Sequence, residues 1–216
     1  MVTFVESHES ESGAAVLLVL LFLSLVGAIA AALVALTTTE TLISARYRHL
    51  QQALFGAEAA LELALRDLSV VADWSRVLTA PPGNVSSTFN DGEVMPRGPD
   101  GRVLDLPRMT VERQRDSDLR WVAGSLGGDI PQWRLFAHAT PRLLHAPPDV
   151  AFPLYFVVWV SDDESDGDSD PAIDANGRIL VYALAVGAGG VRRAVEARIS
   201  RAAVGDIRLE GWRQVR

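Results

Sequence analysis

Residues 12–39 are 28 consecutive positions without a charge, and the helical pattern does not stop where they end. Within them, residues 14–36 are Ala, Val, Leu, Ile and Phe, interrupted only by Ser24 and Gly27. At about 1.5 Å of rise per residue this run spans roughly 34 Å, enough to cross a hydrocarbon core of about 30 Å. A helix bonds all its backbone groups internally, as lipid requires. A cleaved secretory signal has an apolar region of about 7–15 residues behind a positive segment. The run here is longer, and the residues before it hold Glu6, Glu9 and Glu11 with no Lys or Arg. The expectation is a retained, single-pass transmembrane segment over residues 14–36.

The helix has reason to continue. No proline occurs in residues 1–80, so nothing forces a break. Leu50, Leu54, Ala57, Leu61, Leu65 and Leu68 recur in steps of three and four, which keeps one stripe on one face. The opposite face carries Arg46, Arg48, Gln51, Gln52, Glu58, Glu62 and Arg66. One long N-terminal helix over residues 14–69 is predicted, its first half fit for lipid and its second for a protein core. A hinge at the TTTET run, residues 37–41, is the alternative, because β-branched residues weaken helix propensity by tenths of a kcal/mol each. The leucine stripe reads as the face that docks on a globular domain.

These pieces resemble the N-terminal region of PilX-type minor pilins of type IV pilus systems. The resemblance is carried by Gly13 just before the apolar run, the exit Thr37, Thr38, Thr39, Glu40, and the FGAEAALE stretch at residues 55–62. It covers about residues 11–70. It implies a pilin-like α+β fold and a leader, residues 1–13, that a prepilin peptidase removes by cutting between Gly13 and Ala14. The mature helix would wait in membrane lipid and then pack among other major and minor pilins. Major pilins carry a glutamate five residues into the mature chain, and here that position is Leu18. Its absence is similar to minor pilins and to the tip pseudopilins of type II secretion systems. Arg46 and Arg48 follow the apolar run and no Lys or Arg precedes it, a weak positive-inside bias toward a cytoplasmic C-terminal side. The resemblance implies the opposite: a bacterial inner-membrane protein with its C-terminal domain outside the cytoplasm, in the pilus once assembled.

Behind Ser69 stand 147 residues, enough for one core. Cysteine is absent, which rules out disulfides, thiolate metal sites and a cysteine nucleophile. All 20 basic residues are Arg, they form no cluster, and the pI is near 5.1, so nucleic acid is not an expected partner. Residues 70–107 read as an irregular connector, dense in turn formers such as Pro81, Pro82, Gly83, Pro96, Gly98 and Pro99. Residues 108–216 read as a β-rich domain. Strands are expected at 108–115, 132–140, 154–160, 178–186, 191–200 and 207–215, with a GAGG hairpin turn at 187–190. Short connections make the sheet antiparallel, with one face taking the leucine stripe of the helix.

Between the two strongest strands lies a concentration of acids: Asp162, Asp163, Glu164, Asp166, Asp168, Asp170 and Asp174. The chain holds 27 acids and 20 bases, so without these seven the charges balance. Such a loop repels itself unless something neutralises it. Calcium fits, because it takes about six to eight oxygens from carboxylates, carbonyls and waters. Asp162, Glu164, Asp166, Asp168, Asp170 and Asp174 are the candidate ligands. Asp162, Glu164, Asp166 and Gly167 match the opening of an EF-hand loop, but Ile173 stands where its closing glutamate is needed and no flanking helices are predicted. The competing expectation is a solvated acidic hairpin tip that keeps a sheet edge from sticking.

Catalysis is not expected. His8 lies in the leader and His49 on the helix, while His138 and His145 flank a Pro-containing turn and read as surface residues. Ser125 sits in AGSLG, which lacks the first glycine and the strand–helix context of a nucleophile elbow. Three functions remain open: a minor pilin that assists pilus assembly, initiation or tip formation; a tip pseudopilin of a type II secretion system; and a bitopic calcium-binding adhesion protein unrelated to pili.

Overall fold

The computed structural model describes residues 9–80, 87–124, 130–141, 153–165, 167, 168 and 170–215. The described elements run α1 (Glu9–Ser69), α2 (Ser75–Leu78), α3 (Leu106–Gly124), β1 (Arg134–Ala139), β2 (Leu154–Asp162), β3 (Arg178–Gly187), β4 (Arg192–Ala203) and β5 (Asp206–Val215). The fold is α+β and pilin-like in arrangement, a long N-terminal helix with an antiparallel sheet. Two compact units divide within α1, one ending at Tyr47 and the other beginning at Arg48.

In the first unit, α1 is long and apolar enough to cross a membrane, and its apolar window has no buried residue. The TTTET run is helical throughout. Each of its threonines returns its hydroxyl to the carbonyl four residues back: Thr37 to Leu33 at 2.9 Å, Thr38 to Val34 at 2.8 Å, Thr39 to Ala35 at 3.0 Å and Thr41 to Thr37 at 2.8 Å. Ser24 does the same to Leu20 at 2.8 Å. Hydroxyls satisfied in this way need no water, so these five residues do not interrupt a lipid-compatible surface.

The second unit is built on a five-stranded sheet in the order β1-β2-β3-β4-β5, every neighbour antiparallel. All nine residues of β2 are buried, because both faces of the sheet are covered. Phe156, Val158 and Val160 join the core under α1, while Tyr155, Val157 and Trp159 join the core under α3. This explains the near-continuous apolar run, since a strand covered on one face alone would alternate.

The strand expected at 108–115 is instead part of α3. Its buried residues Leu106, Met109, Arg113 and Ser117 are spaced three, four and four, a helical face rather than an alternating one. Asp105 caps it, its Oδ1 accepting the Arg108 N–H at 3.0 Å, and Pro107 sits in the first turn where its missing N–H costs nothing. An Arg108–Glu112 pair at 2.9 Å supports the exposed side. The domain read as β-rich over 108–216 therefore opens with a 19-residue helix.

The helix face that meets the sheet also differs from the leucine stripe. Ala53, Gly56, Ala57, Ala60, Leu61, Ala64 and Leu68 are buried, whereas Leu50, Leu54 and Leu65 are only half-buried. Small residues let the helix backbone approach the sheet closely. A Cβ placed on Gly56 would stand 2.7 Å from Leu154 Cδ1, 3.0 Å from Phe156 Cε1 and 3.2 Å from Ala185 Cβ. The end of α1 is then fastened: Trp74 Nε1 donates to Leu68 O at 3.1 Å, Gly205 N to Ser69 O at 2.9 Å, and Arg201 Nη1 to Val71 O at 2.6 Å.

The connector is less irregular than its composition suggests. Asp67, buried on α1, accepts from Thr88 N at 2.9 Å and from the hydroxyls of Ser87 and Thr88. Beyond it the chain runs beside β1: Asp91 N donates to His138 O at 3.1 Å and His138 N to Phe89 O at 3.2 Å. The GAGG segment closes the β3–β4 hairpin through a short 3-10 turn, Ala188–Gly190.

Candidate functional site

Gly13, Ala14 and Leu18 all lie on α1 and are exposed. Nothing stands within 4 Å of a Cβ built on Gly13. Leu18 is 67% exposed, and Val16, Leu17, Val19, Leu20, Leu21 and Phe22 around it are exposed to at least 55%. A helical surface this apolar in water is strongly unfavourable, and lipid or a bundle of like helices would cover it. Leu50, Leu54, Leu61 and Leu65, predicted as packing residues, belong to the second unit: Leu61 is core, and Leu54 and Leu65 pack at its margin.

The acidic hairpin joins β2 to β3. Asp162 and Asp163 are buried, and Glu164, Asp168 and Asp170 are exposed. Asp166 lies outside the described residues. Most of the described carboxylates shape the loop itself. Asp163 Oδ1 accepts from Asn176 Nδ2 at 2.7 Å, and its Oδ2 accepts from Ser165 Oγ and stands 3.9 Å from Arg198 Nε. Asp168 Oδ1 accepts from Asp170 N at 2.9 Å, Asp170 Oδ1 from Ala172 N at 3.0 Å, and Asp174 Oδ1 from Arg178 N at 3.0 Å. These are side-chain-capped turns, the ordinary use of Asp in tight loops. Among the described residues, no three His, Asp or Glu side chains come together as a metal-ligand group.

Two buried polar clusters escaped the sequence reading. The first sits under α3. The Arg113 guanidinium lies in the corner of an edge-to-face ring pair, 4.4 Å from the Trp133 centroid and 4.1 Å from that of Tyr182. Its Nη2 donates to Glu196 Oε2 at 3.1 Å, and Glu196 Oε1 takes Arg213 Nη2 at 2.6 Å. Burial pushes the Arg113 pKa down and Glu196 pushes back, while burial pushes the Tyr182 hydroxyl up. Two aromatic rings and the Glu196 carboxylate explain why an arginine can occupy a core position of the helix. The signal was available: Arg113 falls on the same face as Leu106 and Met109.

The second cluster lies where the connector meets β1. Tyr155 Oη donates to Asp91 Oδ2 at 2.7 Å, and His138 Nδ1 stands 3.0 Å from Tyr155 Oη and 3.1 Å from Asp91 Oδ1. With the tyrosine proton given to Asp91, the imidazole must present Nδ1–H. Burial lowers the His138 pKa, opposed by Asp91, and burial raises that of Tyr155. His138 is only 3% exposed, not the surface histidine expected. From Phe136 to Ala139 the strand is buried on both faces and the connector bonds to His138, which a pattern of residue types does not show. These bonds tie the connector to the sheet. His8, Ser125 and His145 lie outside the described residues.

Comparison with family models, with curated proteins and with solved structures finds no match for this chain.

Proposed function

We propose that the chain is a minor pilin-like subunit that assists assembly, initiation or tip formation of a type IV pilus. Before assembly it is held by α1 in the bacterial inner membrane, with its C-terminal domain outside the cytoplasm. The observation that carries the reading is that one helix, Glu9–Ser69, supplies both an exposed apolar surface and the small-residue face that packs on the sheet. An ordinary membrane tether needs only the first of these. Exposed Gly13 at the head of the apolar run and internally bonded hydroxyls at its exit support processing and lipid storage. Leu18, in place of an acid, favours a minor or tip position and keeps a type II tip pseudopilin as the second reading. Mass spectrometry of the protein from its native membrane tests the class. A mature chain starting at Ala14 is expected, and an intact Met1 would refute it.

Calcium at the acidic hairpin is a separate proposal that rests on the density of oxygen ligands in the sequence. Most of the described carboxylates accept from the protein itself, so binding would displace some of these bonds. Calorimetric titration decides it: heat together with a higher melting temperature supports the site, and absence of both removes it.

A further inference from the structure

The charges of the second unit are sorted along its strands. At one end of the sheet β2 passes into β3 through the acidic hairpin. The opposite end holds the β3–β4 turn, Ala188–Gly190, and the start of β4, where Arg192 and Arg193 are neighbours. The connector brings Arg97 and Arg102 to this same end: Arg97 bridges Val103, and a Cβ on Gly190 would stand 3.8 Å from Asp100 Oδ2. The part of α1 in this unit also begins here. A Cβ on Gly187 would stand 3.9 Å from that of Ala53, whereas Ser69 O, at the far end of the helix, accepts from Gly205 N in the β4–β5 turn. Arg48 precedes Ala53 by five residues, about 7.5 Å further out along the helix. The acids of this end are engaged. Asp100 stands 3.8 Å from Arg102 Nε and Glu112 2.9 Å from Arg108 Nε, Asp105 caps α3, and Asp116 acts on Arg113. Arg97 and Arg193 donate to the carbonyls of Gly101 and Arg192. Among the described residues, Arg48, Arg97, Arg192 and Arg193 have no carboxylate partner, although the chain carries a net charge of -7.

We propose that this arginine end of the second unit docks on anionic phospholipid headgroups of the bilayer that residues 14–36 cross, an inference that rests on the membrane-spanning reading of those residues. Only residues 37–47 separate the apolar run from Arg48, so chain connectivity holds this end nearest the headgroups. An arginine beside an anionic leaflet is attracted over roughly a Debye length, about 8–10 Å at ordinary salt. The same field repels the acidic hairpin at the other end, so both ends of the unit favour one orientation. A zwitterionic surface supplies neither force.

The test uses the full chain in lipid nanodiscs. The chain has no cysteine, so a nitroxide on Val103→Cys, at an exposed position, marks the arginine end and one on Asp170→Cys the acidic end. A fixed, small share of nickel-chelating lipid speeds the relaxation of a label that lies beside the headgroups, read by saturation-recovery EPR. In nanodiscs of phosphatidylcholine with phosphatidylglycerol, the Val103→Cys label is expected to show a fast-relaxing fraction larger than in phosphatidylcholine alone, and the Asp170→Cys label no such gain. Salt at about 1 M, where the Debye length is about 3 Å, should remove the gain. Arg192→Gln/Arg193→Gln should lower the docked-to-free ratio about 30-fold, from about fivefold for each arginine. Equal relaxation in the two lipids would overturn the docking, as would a gain that survives both salt and the double substitution. A chain that enters nanodiscs of neither lipid would instead overturn the membrane-spanning reading, and the docking with it. A circular-dichroism melt checks the fold of the double variant, and the lipid and salt comparisons decide without it.

Discussion

Replacing Gly56 by alanine sets two ordinary effects against each other. In a helix interior the exchange should stabilise by about 1 kcal/mol, because glycine has the poorer propensity. At this position the new Cβ would stand 2.7 Å from Leu154 Cδ1, 3.0 Å from Phe156 Cε1 and 3.2 Å from Ala185 Cβ. Leu154 Cδ1 is the end of a flexible side chain and can turn away. Ala185 Cβ cannot, being fixed to the backbone of the middle strand β3. The helix must therefore lift by a few tenths of an ångström along a face where Ala53, Ala57, Ala60 and Ala64 are also in contact. Overpacking of this kind costs about 1–3 kcal/mol. The net expectation is a loss of up to about 2 kcal/mol, or a melting temperature lower by up to about 8 °C for a domain of this size. Thermal unfolding of the full chain in nanodiscs, followed by tryptophan fluorescence, measures it. The double variant Gly56→Ala/Leu154→Val should recover part of the loss, since it removes the nearest atom. A higher melting temperature in Gly56→Ala would show that propensity outweighs contact, and the close approach inferred for α1 would be wrong.

The remaining predictions concern the buried polar clusters. Arg113→Ala removes a buried guanidinium that contacts two rings and leaves Glu196 short of a partner, and should cost about 3 kcal/mol or more in urea unfolding, against less than about 1 kcal/mol for the exposed Arg213→Ala. Equal losses would refute the buried Arg113 contacts as a source of stability. His138 has its pKa depressed by burial, so its neutral form is the one the fold favours. The stability it contributes is fully present above its ordinary value of about 6.5 and is lost as pH falls toward the depressed folded value. Melting temperature should decline from about pH 6.5 downward, and His138→Gln should flatten that decline. Parallel pH profiles for the two proteins would remove His138 as the cause.

What could be read from the residues alone depended on how strongly hydropathy marked it. The apolar half of α1 and strands β2 and β3 carry long runs of large apolar residues, and their places follow from pattern alone, while β4 and β5 show only partial alternation with Arg and Glu. The docking face of α1 does not, because alanine and glycine contribute little hydropathy and leucines at the margin draw the eye instead. Arg108 to Arg115 alternate just enough to resemble a strand, while the evidence for a helix lay in Asp105, Pro107 and the steps from Leu106 through Arg113. His138 was misplaced for a related reason, since its burial depends on cover over both faces of β1 and on a connector far away in sequence. For the acidic hairpin, composition recorded the acids but not their use, and several of them cap turns of their own loop.

The sheet has two unequal margins. Along β1 the connector already bonds His138, and the bulge beside it breaks what regular edge is left. Along β5, among the described residues, the backbone has a strand neighbour on the β4 side alone. A foreign strand could therefore add at one margin only. Edge-to-edge contact between copies would stop at a pair, because neither member has a second margin to offer. Any longer array of this protein would have to grow through contacts other than strand pairing.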